Sequence, residues 1–218
     1  MCSSDLQETT GPHDIVVTDN KIDTVTTGCA IYFIGTYGTY IKGNSLSNSY
    51  LEGICLDGGC IGTYFAENEV SYCSKIGGLP GVSVDNGIYN IIDNNKVHNN
   101  GASGIKLVRT ALGNIVVNNT CYDNSVNTFN VDNQRNDETA GILIRAQKVD
   151  AVDGDNIDGT GSNGNLVINN TIYGSHDAAI NIDLNSETGS CSGNTVMYNK
   201  LVIKPQVHIN SFTWYALY

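Results

Sequence analysis

The chain has 218 residues, a net charge of −11 and a pI near 4.5, which argues against nucleic acid or an anionic membrane as its general partner. No stretch approaches the ~18 uninterrupted apolar residues of a membrane span. The opening residues, "MCSSDLQETTG", have neither the basic nor the apolar segment of a secretion signal.

Residues 1–12 read as a leader that is non-native or disordered. "MCSSDL" is what the end of a common short-read sequencing adapter would encode if GTG served as the start. The expectation is that the chain is a fragment of a longer protein. Two features agree: no polar cap precedes the first repeat, and the end, "INSFTWYALY", is aromatic and uncapped.

From residue 13 to 218 one element keeps returning. Asn-x-(apolar) appears as Asn20-Lys-Ile22, Asn44-Ser-Leu46, Asn68-Glu-Val70, Asn95-Lys-Val97, Asn119-Thr-Cys121, Asn170-Thr-Ile172 and Asn199-Lys-Leu201. The steps of 24, 24, 27, 24, 51 and 29 residues are a fixed period with insertions, the signature of a solenoid. Before each asparagine stands an apolar pair or triplet, such as Ile91-Ile92 or Leu166-Val167-Ile168. Just after it comes a short segment such as Lys96-Val97-His98, and further on a Gly/Ala-(apolar)-x-(apolar) segment: Gly53-Ile54-Cys55-Leu56, Gly81-Val82-Ser83-Val84, Gly104-Ile105-Lys106-Leu107, Gly141-Ile142-Leu143-Ile144 and Ala179-Ile180-Asn181-Ile182. Alternation with a period of two marks strands, and helix periodicity is absent.

Three short strands per ~24 residues predict a coil in which each strand pairs with its counterpart one turn later, ~4.8 Å away. The expected fold is all-β: a single-stranded parallel β-helix of about seven coils and roughly 34 Å, with loop insertions at 122–140 and 146–164. A buried asparagine is costly unless its amide is satisfied, and stacking identical asparagines along the axis satisfies each one. The recurrence therefore predicts an asparagine ladder.

This pattern resembles the right-handed parallel β-helix proteins of the pectate-lyase-like superfamily, over residues 13 to 210. The resemblance is specific for architecture; hydrolases, lyases, epimerases, tailspikes and adhesins share it. It implies an extracellular or cell- or virion-surface location, a polysaccharide or cell-surface glycan as partner, and, for tailspike-like members, a homotrimer. Two family signatures are missing: the Asn-Thr-Asp, Asp-Asp and Gly-His-Gly set of polygalacturonases, and the Asp-Pro-His-Glu of alginate epimerases.

In that superfamily the third strand of each coil often floors the substrate groove. By parity its outward residues here are Tyr32 and Ile34, Cys55 and Asp57, Ser83 and Asp85, Lys106 and Val108, Leu143 and Arg145, Asn181 and Asp183. This predicts an exposed strip running acidic, basic, acidic. Both insertions flank the same strand, and Arg109, Arg135 and Arg145, all the arginines of the chain, lie here. Guanidinium matches carboxylate geometry, so a uronate or sulfate is the expected anion. For a lyase or epimerase, Lys106 would be the base and Arg145 the enolate stabiliser, with His176 and Asp183 as further catalytic candidates. Asp85, Arg109, Asn181 and Asp177 are the substrate-binding candidates. Asp85 and Asp183 are also the candidate pair for a hydrolase, although two or three coils separate them.

"DAVDGDNIDG" brings Asp150, Asp153, Asp155 and Asp158 among glycines; the last three are weak candidates for Ca²⁺, since the spacing departs from the EF-hand loop. Of seven cysteines, Cys121 takes an apolar core position and Cys55 and Cys60 are close in sequence, and mostly reduced, packed thiols are expected. Two functions stay open: an enzyme acting on acidic polysaccharide, and a non-catalytic glycan-binding adhesin or tailspike-type module.

Overall fold

The structure, a computed structural model, describes residues 11–126, 139–147, 161–185 and 190–202. Short strands wind into three parallel sheets, with no helix among the described residues. The first sheet stacks Val16–Thr18, Tyr40–Lys42, Tyr64–Ala66, Ile91–Asp93, Ile115–Val117, Leu166–Ile168 and Thr195–Met197. The second stacks Lys21–Asp23, Ser45–Ser47, Glu69–Ser71, Lys96–His98, Thr120–Tyr122, Thr171–Tyr173 and Lys200–Val202. The third stacks Ile31–Ile34, Ile54–Asp57, Val82–Asp85, Ile105–Val108, Ala140–Gln147 and Ala178–Asn185. Each strand pairs with its counterpart on the next coil without a register slip, as Ile92 does with Phe65 and Val116. The expected right-handed parallel β-helix is the fold.

Two expectations need correction. Six coils carry all three strands, and the seventh contributes strands only to the first two sheets among the described residues. The strand at Ala140–Gln147 is eight residues long and pairs with Ala178–Asn185 from Ala140↔Ala178 to Gln147↔Asn185. The second insertion therefore begins after Gln147, because continued ladder bonding carries Ala146 and Gln147 into the sheet.

Side-chain parity builds the core. The middle residue of each short strand points in, giving Ile41, Phe65, Ile92, Val116 and Val167 from the first sheet and Leu46, Val70, Val97, Cys121 and Ile172 from the second. The third sheet adds pairs two residues apart, among them Ile105 with Leu107 and Ile142 with Ile144, all fully buried. Burying a side chain of this size stabilises the fold by roughly 1.5–3 kcal/mol.

The corner between first and second sheets holds the predicted ladder. Asn20, Asn44, Asn68, Asn95, Asn119, Asn170 and Asn199 are linked end to end, each Nδ2 donating to the next Oδ1 at 2.9–3.1 Å. The residue before each rung is left-handed, as at Asp19, Glu67 and Asn94, which turns the chain through the corner in two residues. Two further ladders stand at the other corners. Asn90, Asn114, Asn165 and Asn194 are joined at 3.0 Å, and Asn100 donates to Asn124 at 3.0 Å. Two of the glycines that open third-sheet segments make room for this last corner: a Cβ on Gly81 would lie 2.5 Å from Asn100 Nδ2, and one on Gly104 2.7 Å from Asn124 Nδ2.

Candidate functional site

The outer face of the third sheet places the outward residues in two rows. One row runs Tyr32, Cys55, Ser83, Lys106, Leu143, Asn181, from register partner to register partner. In the other, Asp57 precedes Asp85, followed by Val108, Arg145 and Asp183. The predicted parity is right, since these residues stand outside the core cluster that takes their neighbours.

The predicted exposure is not. Lys106 is 7% exposed, Arg145 2%, Leu143 0% and Val108 1%, so the middle of the strip is covered. Alternation decides which face a side chain takes, but not what lies over that face. Exposure returns at the two ends: Tyr32 and Ile34 are exposed on the first coil, and Asn181 and Asp183 are half-buried on the sixth.

Among the described residues, two arginine–aspartate pairs on this face differ. Arg145 holds Asp183 Oδ2 through Nε at 3.1 Å and Nη2 at 2.8 Å. Its side chain is almost wholly buried, so the pair is fixed. Arg109 meets Asp85 Oδ2 through Nη1 alone, at 3.1 Å, with a quarter of its side chain in solvent. Arg109 is left-handed, at φ 61, where the preceding coils place Gly35, Gly58 and Asn86. That conformation costs a non-glycine residue about 1–2 kcal/mol.

Asp85 is the face's perturbed carboxyl group. Burial pushes its carboxyl up to about 6; Arg109 and Lys106 pull the other way, while Asp57 and Glu52 add to the rise. Its Oδ1 is buried without a hydrogen-bond partner. Asp57, one coil earlier, accepts from Gly58 N–H at 2.6 Å and from the Tyr32 hydroxyl at 2.7 Å. The phenol's bond to that carboxylate holds its own ionisation well above the ordinary tyrosine range. Two carboxyl groups therefore project from adjacent strands, the strands themselves lying about 4.8 Å apart, beside an exposed aromatic ring.

The other candidates fall elsewhere on the face. Asp85 and Asp183 are three strand steps apart, about 14 Å, too far to flank one glycosidic bond. His176 Nδ1 lies 2.8 Å from Asp177 Oδ1, and Thr139 donates to Asp177 Oδ2, at the turn before the sixth third-sheet strand. Asp153, Asp155, Asp158 and Arg135 lie outside the described residues. The partner that sequence reasoning missed for Asp85 is Asp57. The signal was present, since both are the fourth residue of successive third-sheet strands.

Six cysteines, Cys29, Cys55, Cys60, Cys73, Cys121 and Cys191, are free thiols. Burial, with Glu52 at 3.2 Å, pushes the Cys29 thiol up to about 12. Cys55, Cys60, Cys73 and Cys121 are buried, and Cys29 and Cys191 are half-buried.

Residues 8–145 match the family model described as "Right handed beta helix region". No curated protein matches the chain. Among solved structures, the periplasmic alginate epimerase AlgG is similar over 88% of this chain and 40% of its own, at 16% identity and a TM-score of 0.65. The enzymatically active domain of tailspike protein 2 from Bacteriophage CBA120 is similar over 83% of this chain and 26% of its own, at 12% identity and a TM-score of 0.53. The chain thus spans about two-fifths or less of the length of these structures.

Proposed function

Because the chain belongs to the right-handed β-helix family, we propose that it is a secreted or surface-exposed polysaccharide-processing protein, and that its chemistry is glycosidic hydrolysis at Asp57 and Asp85. The observation that carries this reading is the pair of carboxyl groups on adjacent strands, one of which is raised to about 6 by burial. Hydrolysis by a carboxyl pair needs one group raised above the ordinary carboxylate range, so that it can take up and deliver a proton, and one held as a carboxylate facing the sugar. Asp85 fits the acid. Asp57, fixed by Gly58 N–H and the Tyr32 hydroxyl, fits the nucleophile. Tyr32, half in solvent, offers a ring against which a sugar can pack. The epimerase and tailspike similarities are consistent with a carbohydrate substrate.

The test is turnover by the purified protein on pectate, alginate, glycosaminoglycan and neutral glycan panels, read both as new reducing ends and as ultraviolet absorbance of unsaturated uronates. Hydrolysis predicts reducing ends without that absorbance, lost in Asp57→Asn and Asp85→Asn. Unsaturated products would move the chemistry to elimination, for which Lys106, Arg145, His176 and Asp183 are the candidate residues. One observation favours a second reading. Lys106 and Arg145 are buried, so the basic centre of the strip could serve architecture while the half-exposed ends bind glycan without turnover. Binding with no product of either kind supports that non-catalytic module.

A further inference from the structure

Arg109 and Arg145 are both paired with an aspartate on the same face, yet they are held very differently. Arg145 uses two nitrogens and is buried; Arg109 uses one and is a quarter exposed. A guanidinium has five N–H donors in a fork suited to two carboxylate oxygens, so a single 3.1 Å contact leaves Arg109 able to take a better-matched partner. Its aspartate is equally unsettled, because Asp85 Oδ1 is buried with no partner and Oδ2 has only this contact. The arginine also occupies a left-handed corner where the preceding coils place Gly35, Gly58 and Asn86, a conformation less favourable for a branched or long side chain than for glycine.

We propose that Arg109 is an exchangeable cation: a sugar carboxylate displaces Asp85 from its guanidinium, and Asp85 takes up a proton from solvent as the ligand binds. This rests on the polysaccharide reading above and narrows its substrate class to uronate-containing chains. The charge balance is simple. Before binding the pair is neutral, Asp85 carboxylate with Arg109 cation. After binding, Arg109 is neutralised by the ligand carboxylate, and Asp85, deprived of its cation, is neutralised by one proton from water. Other charged groups also act on Asp85. Asp57 on the preceding strand and Glu52 before it disfavour a second anion, while Lys106 on the following strand favours one. Loss of the arginine therefore leaves the balance tipped toward the protonated acid. Binding a uronate would in this way load the proton that hydrolysis spends, and neutral sugars, unable to compete for the guanidinium, would not.

The test uses the whole chain with D-glucuronate and trigalacturonate as probes and maltotriose as the neutral control. Calorimetry near pH 7 in two buffers of different ionisation enthalpy should show a net uptake approaching one proton per trigalacturonate bound. That uptake vanishes in Asp85→Asn, and Arg109→Gln lowers affinity at least tenfold. In parallel, carboxyl ¹³C NMR follows the titration of Asp85 itself, which needs no polysaccharide turnover. Saturating D-glucuronate should move the Asp85 midpoint upward, and Arg109→Gln should move it upward without ligand and make it insensitive to D-glucuronate. Arg109→Lys keeps the charge and should restore the unliganded midpoint. Uronate binding with no proton uptake, maltotriose binding as tight as trigalacturonate, or an Asp85 midpoint unmoved by D-glucuronate overturns the exchange while leaving hydrolysis at Asp57 and Asp85 standing. Turnover on the panel that survives Asp57→Asn and Asp85→Asn removes that reading instead.

Discussion

Asn95 sits in the middle of the ladder and shows what the repeat is for. It is 2% exposed and takes part in four links: Oδ1 accepts from Asn68 N–H at 2.9 Å and Asn68 Nδ2 at 3.1 Å, while Nδ2 donates to Phe65 O at 2.9 Å and Asn119 Oδ1 at 3.0 Å. Asn95→Ala removes all four. Asn68 Nδ2 keeps the carbonyls of Ile41 and Ala66, and Asn119 Oδ1 keeps the Asn95 N–H. The Asn68 N–H and one bond to the Phe65 carbonyl are lost without replacement. Each buried orphan costs about 1–3 kcal/mol, so the expected loss is about 4 kcal/mol. For a chain of this size that lowers the thermal midpoint by roughly 8–16 °C. Asn20→Ala is the internal control, since Asn20 is exposed at the first rung and should cost less than about 1 kcal/mol. Circular dichroism melts of the two variants, compared by midpoint because repeat arrays need not unfold in two states, measure the difference. Equal, small shifts would refute the ladder as a source of stability.

The remaining predictions concern the third sheet and the thiols. Asp85 keeps its proton more tightly in the folded chain than its ordinary 3.8 allows, so its contribution is complete below about pH 4 and is lost as pH rises through about 6. The loss is up to about 3 kcal/mol; denaturation curves of Asp85→Asn should lack it, and parallel pH profiles for the two proteins would contradict the burial argument. Arg145→Ala strips a buried guanidinium from Asp183 and should destabilise by about 2–4 kcal/mol, discounted because a third of the Asp183 side chain is exposed. A change within error in urea denaturation would mean the pair contributes nothing. Cys55, Cys60, Cys73 and Cys121 are buried free thiols, so Ellman's reagent should label them only after unfolding. Rapid labelling of these four in the native protein would contradict their packing.

The architecture was legible because each of its determinants is local and repeated. Asn-x-(apolar) fixed the first corner, and the alternation Ile105-Lys106-Leu107 fixed which side of the third strand faces the core. The second ladder was equally readable, since Asn90, Asn114, Asn165 and Asn194 keep the steps of 24, 51 and 29 residues that the first ladder shows. It was missed because its earlier coils hold Thr39 and Thr63 at the corner, which breaks the repeat of asparagine. The site was only half legible. Parity gave the rows, but the burial of Lys106 and Arg145 depends on what covers the face, and no periodicity encodes that. The partnering of Arg109 with Asp85 depends on a left-handed corner that sends a side chain back one coil, a geometry that residue spacing does not report.

Asp57 and Asp85 project from neighbouring strands about 4.8 Å apart, and the proposed hydrolysis at this pair, if retaining, requires their carboxyl groups to work at about 5–5.5 Å from one another. The direct test is proton NMR of the anomeric signal in the first products released from a polysaccharide that the protein cleaves. Retained configuration, abolished in Asp57→Asn, is the predicted result. An inverted anomer, or a 4,5-unsaturated end in its place, would contradict the assignment of these two aspartates.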